Sequence, residues 1–220
     1  MSSEPALQID PRKTLVYRAV AGLLTGLSAL MFRPVVIGRE NIPREGPVLI
    51  APIHRSNVDF AFTLFISSRK VFFMAKNSIF RFAPFGRLLL HLGAFPVRRG
   101  AADRESMMLA EEVLRRGHAL VLFPEGTRQE GRSVGPLRDG AMFVAARTGA
   151  MIVPVGVGGS DRAMPPGKKM PRPARIRIVI GEPITPPQGE GRISRSQITA
   201  KSEELRRELE RVYLESLSES

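Results

Sequence analysis

Residues 47–59 read PVLIAPIHRSNVD and decide the fold class, because an apolar run ends there in a short polar loop. The run PVLIAP is too short for a helix and predicts a buried strand. The segment that follows, residues 57–68, predicts a helix with Ser56 or Asn57 as its N-cap. Strands that alternate in this way with helices indicate an α/β sheet protein.

The rest of the chain repeats the alternation of strand and helix. Basic and apolar residues alternate over 175–180, which predicts a half-exposed strand and a mixed sheet with one exposed edge. We therefore expect an α/β fold with a mixed, mostly parallel sheet flanked by helices, and ligands at the loops beyond the strand ends. The other predicted strands are residues 71–75, 94–97, 119–123 and 151–157, and the other predicted helices are residues 79–92, 101–116, 139–148 and 197–217.

Residues 1–33 predict a helical element that precedes an α/β domain over residues 34–220. The apolar stretch within it, AVAGLLTGLSALMF at residues 19–32, is 14 residues long, whereas a bilayer span needs roughly 20. Basic residues precede this stretch, which suits a helix that lies in a membrane interface and docks the protein on lipid. An ordinary helix packed against the domain is the alternative. The basic residues are Arg12, Lys13 and Arg18.

The charge balance is strongly basic, with 33 Lys and Arg against 21 Asp and Glu and a net charge of +12. Residues 201–220 carry a net charge of −2, so the first 200 residues carry +14. Such a body attracts a polyanion, such as an anionic membrane or a phosphorylated substrate, unless the charge serves only solubility. Nucleic acid is disfavoured, because the chain has no Trp and only two Tyr on which bases could stack. The absence of Cys excludes disulfides, thiolate metal sites and cysteine nucleophiles.

His54 and Asp59 form the first candidate site. On a continuous helix, residues five apart point about 140° apart. The two side chains can meet only if His54 lies in the loop and Asp59 in the first turn of the helix. A carboxylate on one ring nitrogen would fix the tautomer and leave the other nitrogen as a general base. A structural histidine beside an aspartate that only caps a helix is the alternative.

The second candidate site is FPEGTR at residues 123–128, where a buried strand stops at Pro124 and the chain turns through Gly126. The turn presents Thr127 and Arg128. An arginine with nearby hydroxyl and backbone N–H donors can bind a phosphate. The alternative is a strand-terminating turn with exposed charges.

Two further motifs also lie at strands. GAFPVRRG at residues 93–100 ends in the pair Arg98 and Arg99, which suits either phosphate binding or a solvated basic turn. VPVGV at residues 153–157 is a strand interrupted by Pro154, and its residues favour a plain core strand.

The four motifs, taken in order, resemble those of the glycerolipid acyltransferase family, which includes 1-acyl-glycerol-3-phosphate and glycerol-3-phosphate acyltransferases. The resemblance covers roughly residues 34–183, and FPEGTR is its most specific part. It also includes Ala75 and Lys76, and the PFG of residues 84–86, which look like the family's linker between its first two motifs.

The resemblance implies roles for individual residues. His54 would deprotonate the acceptor hydroxyl, and Asp59 would orient His54. The hydroxyl would then attack the acyl thioester of coenzyme A or of acyl carrier protein, with no metal and no other cofactor. Lys76 and Arg99 are candidates for supporting roles. The residues implied to bind the glycerol-phosphate part are Arg98, Glu125, Gly126, Thr127 and Arg128.

The acceptor is open at this point. Many family members have Asn immediately before the histidine, and this chain has Ile53. HRSNVDF resembles the glycerol-3-phosphate enzymes, whereas the small size and the GAFPVR motif look more like the lysophosphatidate enzymes. We expect acyl transfer to 1-acyl-glycerol-3-phosphate, giving phosphatidic acid in phospholipid biosynthesis. The alternatives are glycerol 3-phosphate or another lysophospholipid as acceptor, or an inert module that binds membrane or nucleic acid.

The expected partners follow from the same resemblance. They are lysophosphatidic acid, an acyl donor that is either acyl-CoA or acyl carrier protein, and an anionic membrane surface. We expect the protein at the cytoplasmic face of the cell membrane, as a peripheral or monotopic protein.

Overall fold

The computed structural model describes residues 11–67, 69–81, 86–87, 89–90, 93–97, 104–165, 167–168, 170–188 and 193–218. The strands are β1 (Val35–Ile37), β2 (Val48–Pro52), β3 (Val71–Lys76), β4 (Ala94–Val97), β5 (Ala119–Val121), β6 (Met151–Gly158) and β7 (Arg177–Ile180). The α-helices are α1 (Pro11–Phe32), α2 (Asp59–Ile66), α3 (Arg104–Arg115), α4 (Asp139–Thr148), α5 (Ser160–Ala163) and α6 (Arg195–Leu217). Short 3-10 helices cover Arg39–Asn41 and Asn77–Arg81.

The strands of the described residues form one seven-stranded sheet in the order β1-β7-β6-β2-β5-β3-β4. Each neighbouring pair is parallel except β6 and β7, which run antiparallel. The predicted mixed, mostly parallel α/β fold is therefore confirmed. Strand β2 is buried at all five residues and lies beside β5, with Val48 opposite Ala119. The loops that follow β2 and β5 consequently leave the same edge of the sheet side by side.

The expectation that residues 175–180 form a half-exposed strand beside an open edge is wrong. Strand β7 lies between β1 and β6, and Ile178, Val179 and Ile180 are buried. The alternation misled because β1 pairs with the outer side of β7 and helix α6 packs against β7. Both the edge and the exposed face expected for this strand are thereby covered.

Helix α2 begins at Asp59, two residues later than expected. The residue before it, Val58, makes no side-chain capping bond, so the expected N-cap at Ser56 or Asn57 is wrong. Ser56 instead donates its hydroxyl hydrogen to the Met164 carbonyl at 2.9 Å. The start is delayed because the backbone N–H groups of Arg55 and Ser56 both bond to the Asp59 carboxylate, which holds these residues in a loop.

Helix α1 covers residues 11–32 of the helical element expected over residues 1–33, and it is continuous through Gly26. It ends where Arg33 adopts a φ of 41°, in the left-handed region. The Phe32 ring packs edge-on against Phe62 of α2 at a centroid distance of 5.2 Å. None of the described helices combines the length and the hydrophobicity needed to cross a bilayer. The helix expected over residues 79–92 lies partly outside the described residues, and its start is the 3-10 helix Asn77–Arg81.

Candidate active site

The loops after β2 and β5 are joined by backbone hydrogen bonds beyond the sheet edge. The Leu122 N–H donates to the Ile50 carbonyl at 3.0 Å, and the Gln129 N–H donates to the His54 carbonyl at 2.9 Å. The His54 N–H donates in turn to Glu125 Oε2 at 2.9 Å. The two sequence motifs that carry His54 and Glu125 are therefore brought together at one place.

His54 and Asp59 meet as the spacing predicts, with His54 Nδ1 2.9 Å from Asp59 Oδ2. The Asp59 side chain is 0% exposed and that of His54 is 13% exposed. Beside an ionised carboxylate, which only accepts hydrogen bonds, a neutral imidazole carries its proton on Nδ1 and keeps a lone pair on Nε2. The imidazole stacks on the Phe123 ring at 4.1 Å, and no described residue bonds to Nε2. The arrangement can accept a proton at Nε2.

Asp59 holds the loop as well as the imidazole. Its Oδ2 atom accepts the backbone N–H groups of Arg55 and Ser56, each at 2.7 Å, in addition to His54 Nδ1. Within the described part of the chain, the buried Oδ1 atom has no hydrogen-bond partner. One oxygen therefore holds both the ring and the backbone beside it, and rotation of the imidazole would break its bond to that oxygen. No pattern in the sequence indicated the two backbone donors.

Glu125, expected among the phosphate-binding residues, is buried and turned towards the His54 loop. Arg55 Nη1 donates to its Oε1 and Oε2 atoms at 3.0 and 2.9 Å. The carboxylate also accepts the Gly135 N–H at 3.2 Å and the His54 N–H described above. A buried carboxylate is tolerated when such donors and an opposite charge surround it. In this geometry the carboxylate contacts protein donors, and it fixes the backbone of His54.

Arg55 is a residue of the site that the sequence reasoning missed. Its Nη1 and Nη2 atoms donate to the carbonyls of His54 and Ser133 at 3.1 and 2.9 Å. Its guanidinium lies 4.8 Å from the centroid of the Tyr213 ring. A signal was available, because Arg55 follows the histidine directly and an arginine in a buried loop requires a carboxylate partner.

Tyr213 brings the C-terminal helix α6 to this network. Its hydroxyl donates to the Gly131 carbonyl at 3.2 Å, so the helix also holds the loop after β5. Burial raises the pKa of the Tyr213 phenol, while the neighbouring Arg55 charge acts in the opposite direction. Tyr213 is buried on the same helix as Leu205, Leu209 and Val212, and the sequence analysis assigned it no role.

The last three residues of FPEGTR, Gly126, Thr127 and Arg128, lie at the surface. Gly126 has a φ of 71°, a conformation that favours glycine. Thr127 and Arg128 are exposed, and the Thr127 hydroxyl accepts a hydrogen bond from Gln129 Nε2 at 3.1 Å. The exposed guanidinium and hydroxyl are available to an anion from solvent.

Three of the expected residues lie wholly or partly outside the described part of the chain. Arg98 and Arg99 lie outside the described residues. The backbone of Lys76 ends β3, next to β4 with Lys76 opposite Val97, and its side chain lies outside the described part of the structure.

A cavity of about 240 Å³ opens beside His54. Its wall is mostly apolar, with two methionines, one from β3 and one from α3, and Phe123 of the β5 loop. The polar part of the wall combines the imidazole with a second basic side chain. The wall includes His54, Phe123, Gly126 and Arg138, and the two methionines are Met74 and Met107.

Comparison with known proteins places the chain in a family. The acyltransferase family model matches residues 33–158, and the chain therefore belongs to the acyltransferase family. The resemblance inferred from the four motifs is thus confirmed.

Named relatives are distant but cover most of the chain. A 1-acyl-sn-glycerol-3-phosphate acyltransferase, the chloroplastic LPAT1 of Arabidopsis thaliana, is 29% identical over 183 residues, which are 81% of this chain and 51% of the relative. The chain thus spans about half the length of that relative. A 1-acyl-sn-glycerol-3-phosphate acyltransferase of Bacillus subtilis is 28% identical over 170 residues, 77% of this chain and 82% of that protein.

The fold has a solved counterpart. The crystal structure of the 1-acyl-sn-glycerophosphate (LPA) acyltransferase PlsC from Thermotoga maritima matches with a TM-score of 0.76 at 24% identity. The match covers 95% of this chain and 83% of the other. The two proteins therefore share the α/β fold.

Proposed function

We propose that the protein transfers a fatty acyl group from acyl-CoA or acyl carrier protein to the free hydroxyl of 1-acyl-glycerol-3-phosphate, which gives phosphatidic acid for phospholipid biosynthesis. The observation that carries the proposal is His54, whose Nδ1 is bonded to a buried carboxylate and whose ring faces a cavity. The names of the relatives from Arabidopsis and Bacillus support the choice of acceptor.

In the proposed mechanism, His54 Nε2 removes the proton of the acceptor hydroxyl as its oxygen attacks the thioester carbonyl. Asp59 stabilises the resulting imidazolium through Nδ1–H. The tetrahedral intermediate collapses with cleavage of the C–S bond, and the imidazolium returns its proton to the departing sulfur. The net change is one ester formed and one thiol released, with His54 restored to its neutral form.

We assign the acceptor phosphate to the loop after β5. The exposed Arg128 guanidinium can bond two phosphate oxygens at once, and the Thr127 hydroxyl lies beside it. Gly126 allows the turn that presents both. Glu125 supports binding by fixing the loop, and Arg98, with Lys76 and Arg99 in supporting roles, completes the proposed phosphate site.

An acyltransferase assay tests this function. Lysophosphatidate and glycerol 3-phosphate are offered in parallel, each with acyl-CoA and with acyl carrier protein as donor. We expect turnover of lysophosphatidate that disappears in His54→Ala. Turnover of glycerol 3-phosphate alone would select the alternative acceptor, and undiminished turnover by folded His54→Ala would overturn the proposed mechanism.

We also propose that α1, the main part of the separate element at residues 1–33, docks residues 34–220 on an anionic membrane, at its cytoplasmic face, as a peripheral or monotopic protein. Large apolar side chains of α1 are exposed, at Leu23, Leu27 and Leu30. Spacings of four and three residues place these leucines on one face of the helix. An exposed apolar face suits the acyl boundary of a bilayer, and the charge of +12 suits anionic headgroups.

Vesicle binding tests the docking proposal in the full chain. Replacing the three leucines, as Leu23→Gln, Leu27→Gln and Leu30→Gln together, should abolish the binding to anionic vesicles that persists in 1 M salt, where the Debye length is about 3 Å. The matched control is Leu214→Gln, which alters an exposed leucine of α6. A protein that ignores anionic vesicles at low salt but binds duplex DNA would contradict the proposal and favour a nucleic-acid-binding module.

A further inference from the structure

We propose that Arg138 is a second arginine that binds the phosphate of the acyl acceptor, an inference that rests on the proposed function. Arg138 lies outside the four sequence motifs, ten residues after Arg128. It is the N-cap residue of α4, and its side chain lines the same cavity as His54.

The position of Arg138 is fixed by the loop that carries FPEGTR. Its backbone N–H donates to the Pro124 carbonyl at 2.8 Å. Its side chain lies over Gly126 so closely that a Cβ atom added there would overlap Nε and Cδ of Arg138. Gly126 therefore serves two purposes, since it allows the turn and leaves the space that the Arg138 side chain occupies.

The charge of Arg138 lacks a counterion within the described part of the protein. No described carboxylate forms an ion pair with it, and the nearby Glu125 is turned away to Arg55. By contrast, Arg147 on the same helix is paired with Glu111 at 2.9 Å. Arg138 is also exposed, so an anion from solvent can reach it.

The residues of the cavity wall favour the acyl acceptor over the acyl donor as the molecule whose phosphate binds Arg138. Among the wall residues that the structure describes, His54 and Arg138 are the two that can carry a positive charge. In a 1-acyl-glycerol-3-phosphate, the free hydroxyl and the phosphate sit on adjacent carbons. A hydroxyl at His54 thus places its own phosphate within the same small cavity. The phosphates of coenzyme A are separated from the thioester by the whole pantetheine arm.

The test compares Arg138→Met with the matched control Arg147→Met in the full chain. We expect Arg138→Met to raise KM for lysophosphatidate at least about tenfold, as the loss of a charged bond to phosphate predicts. KM for acyl-CoA and the thermal unfolding temperature should change little. Arg138→Lys, which keeps the charge but loses the planar two-pronged contact, should recover part of the loss. Arg147→Met should leave both KM values unchanged.

A binding measurement separates this inference from the proposed function. If the wild-type chain transfers no acyl group to lysophosphatidate, the proposed function fails, and the Kd for lysophosphatidate in detergent micelles still reports on Arg138. We expect that Kd to rise about tenfold in Arg138→Met. An unchanged Kd and KM for lysophosphatidate would overturn the inference. A rise confined to KM for acyl-CoA would also overturn it, because the phosphate would then belong to the donor.

Discussion

The loops after β2 and β5 leave the same edge of the sheet, yet they use their polar residues in opposite ways. In the loop after β2, Arg55, Ser56 and Asp59 are buried and bond to protein atoms. In the loop after β5, Thr127 and Arg128 are exposed. The first loop holds one imidazole in a fixed orientation, and the second leaves the Arg128 guanidinium exposed to solvent.

Glu125 is the link between the two loops. It belongs to the exposed loop by sequence, but its buried carboxylate bonds to Arg55 and to the backbone of His54. The proposed base and the proposed phosphate-binding turn are therefore held in one rigid unit. Fixed spacing between a base and a binding group lowers the entropic barrier of a reaction between bound partners.

The largest effect should come from the side chain at the centre of the buried loop. His54→Ala should lower kcat by about 10² to 10⁴, because it removes the general base. His118→Ala is the matched control, since His118 packs against Phe72 and lies outside the cavity of His54. Steady-state kinetics with lysophosphatidate and acyl-CoA provide the measurement. Equal losses in the two variants would show that the effect is not specific to His54.

The next largest effect concerns the stability of the protein, because the ion pair between Arg55 and Glu125 joins the two loops. Arg55→Met should lower the free energy of unfolding by about 3–5 kcal/mol, because Glu125 would remain buried without its counterion. Urea unfolding followed by circular dichroism measures this loss. The control is Arg211→Met, which breaks exposed ion pairs on α6 and should cost at most about 1 kcal/mol. If Arg55→Met and Arg211→Met lower the free energy of unfolding by similar amounts, burial does not strengthen the ion pair between Arg55 and Glu125.

Much of the fold and part of the candidate site could be predicted from the sequence. The chain alternates apolar runs with amphipathic segments, so the α/β fold and its mostly parallel sheet followed from periodicity. The meeting of His54 and Asp59 followed from their spacing at a strand–loop–helix junction. Both features depend on short stretches of sequence, so they can be recognised from local patterns alone.

The features that the sequence did not reveal depend on contacts between distant segments. Arg55 and Glu125 are 70 residues apart, and Tyr213 reaches the site from the C-terminal helix. Strand β7 was mistaken for an edge strand because its partner β1 lies more than 130 residues earlier in the chain. In each case the missing information is a contact between segments that are distant in sequence, which no local pattern encodes.

A smaller effect is expected in the exposed loop. Arg128→Lys should raise KM for lysophosphatidate severalfold while changing KM for acyl-CoA less, because lysine keeps the charge but not the two-pronged contact. Arg132→Lys, a change of another exposed arginine in the same loop, is the control. An unchanged KM for lysophosphatidate in Arg128→Lys would move the proposed phosphate contact to Arg98 or Arg138.

The smallest effect should come from the hydroxyl group of Tyr213. Tyr213→Phe keeps the ring over Arg55 and removes the bond to the Gly131 carbonyl, at a cost of about 1 kcal/mol. In a chain of this size that corresponds to a fall in Tm of about 2–4 °C, measured near neutral pH, with kcat almost unchanged. Tyr17→Phe, which removes the other phenol of the chain, is the control.

The same variant has a pH signature, because burial raises the pKa of Tyr213 above its ordinary value of 10.0. The folded state then binds the phenolic proton more tightly than the unfolded state does. The contribution of this proton to the stability of the folded state is therefore complete below pH 10.0, and it is lost as the pH rises through the pKa of Tyr213 in the folded state. Tyr213→Phe has no proton to lose there. The stability difference between wild type and Tyr213→Phe should therefore shrink above pH 10, whereas a constant difference would mean that the phenol titrates equally in both states.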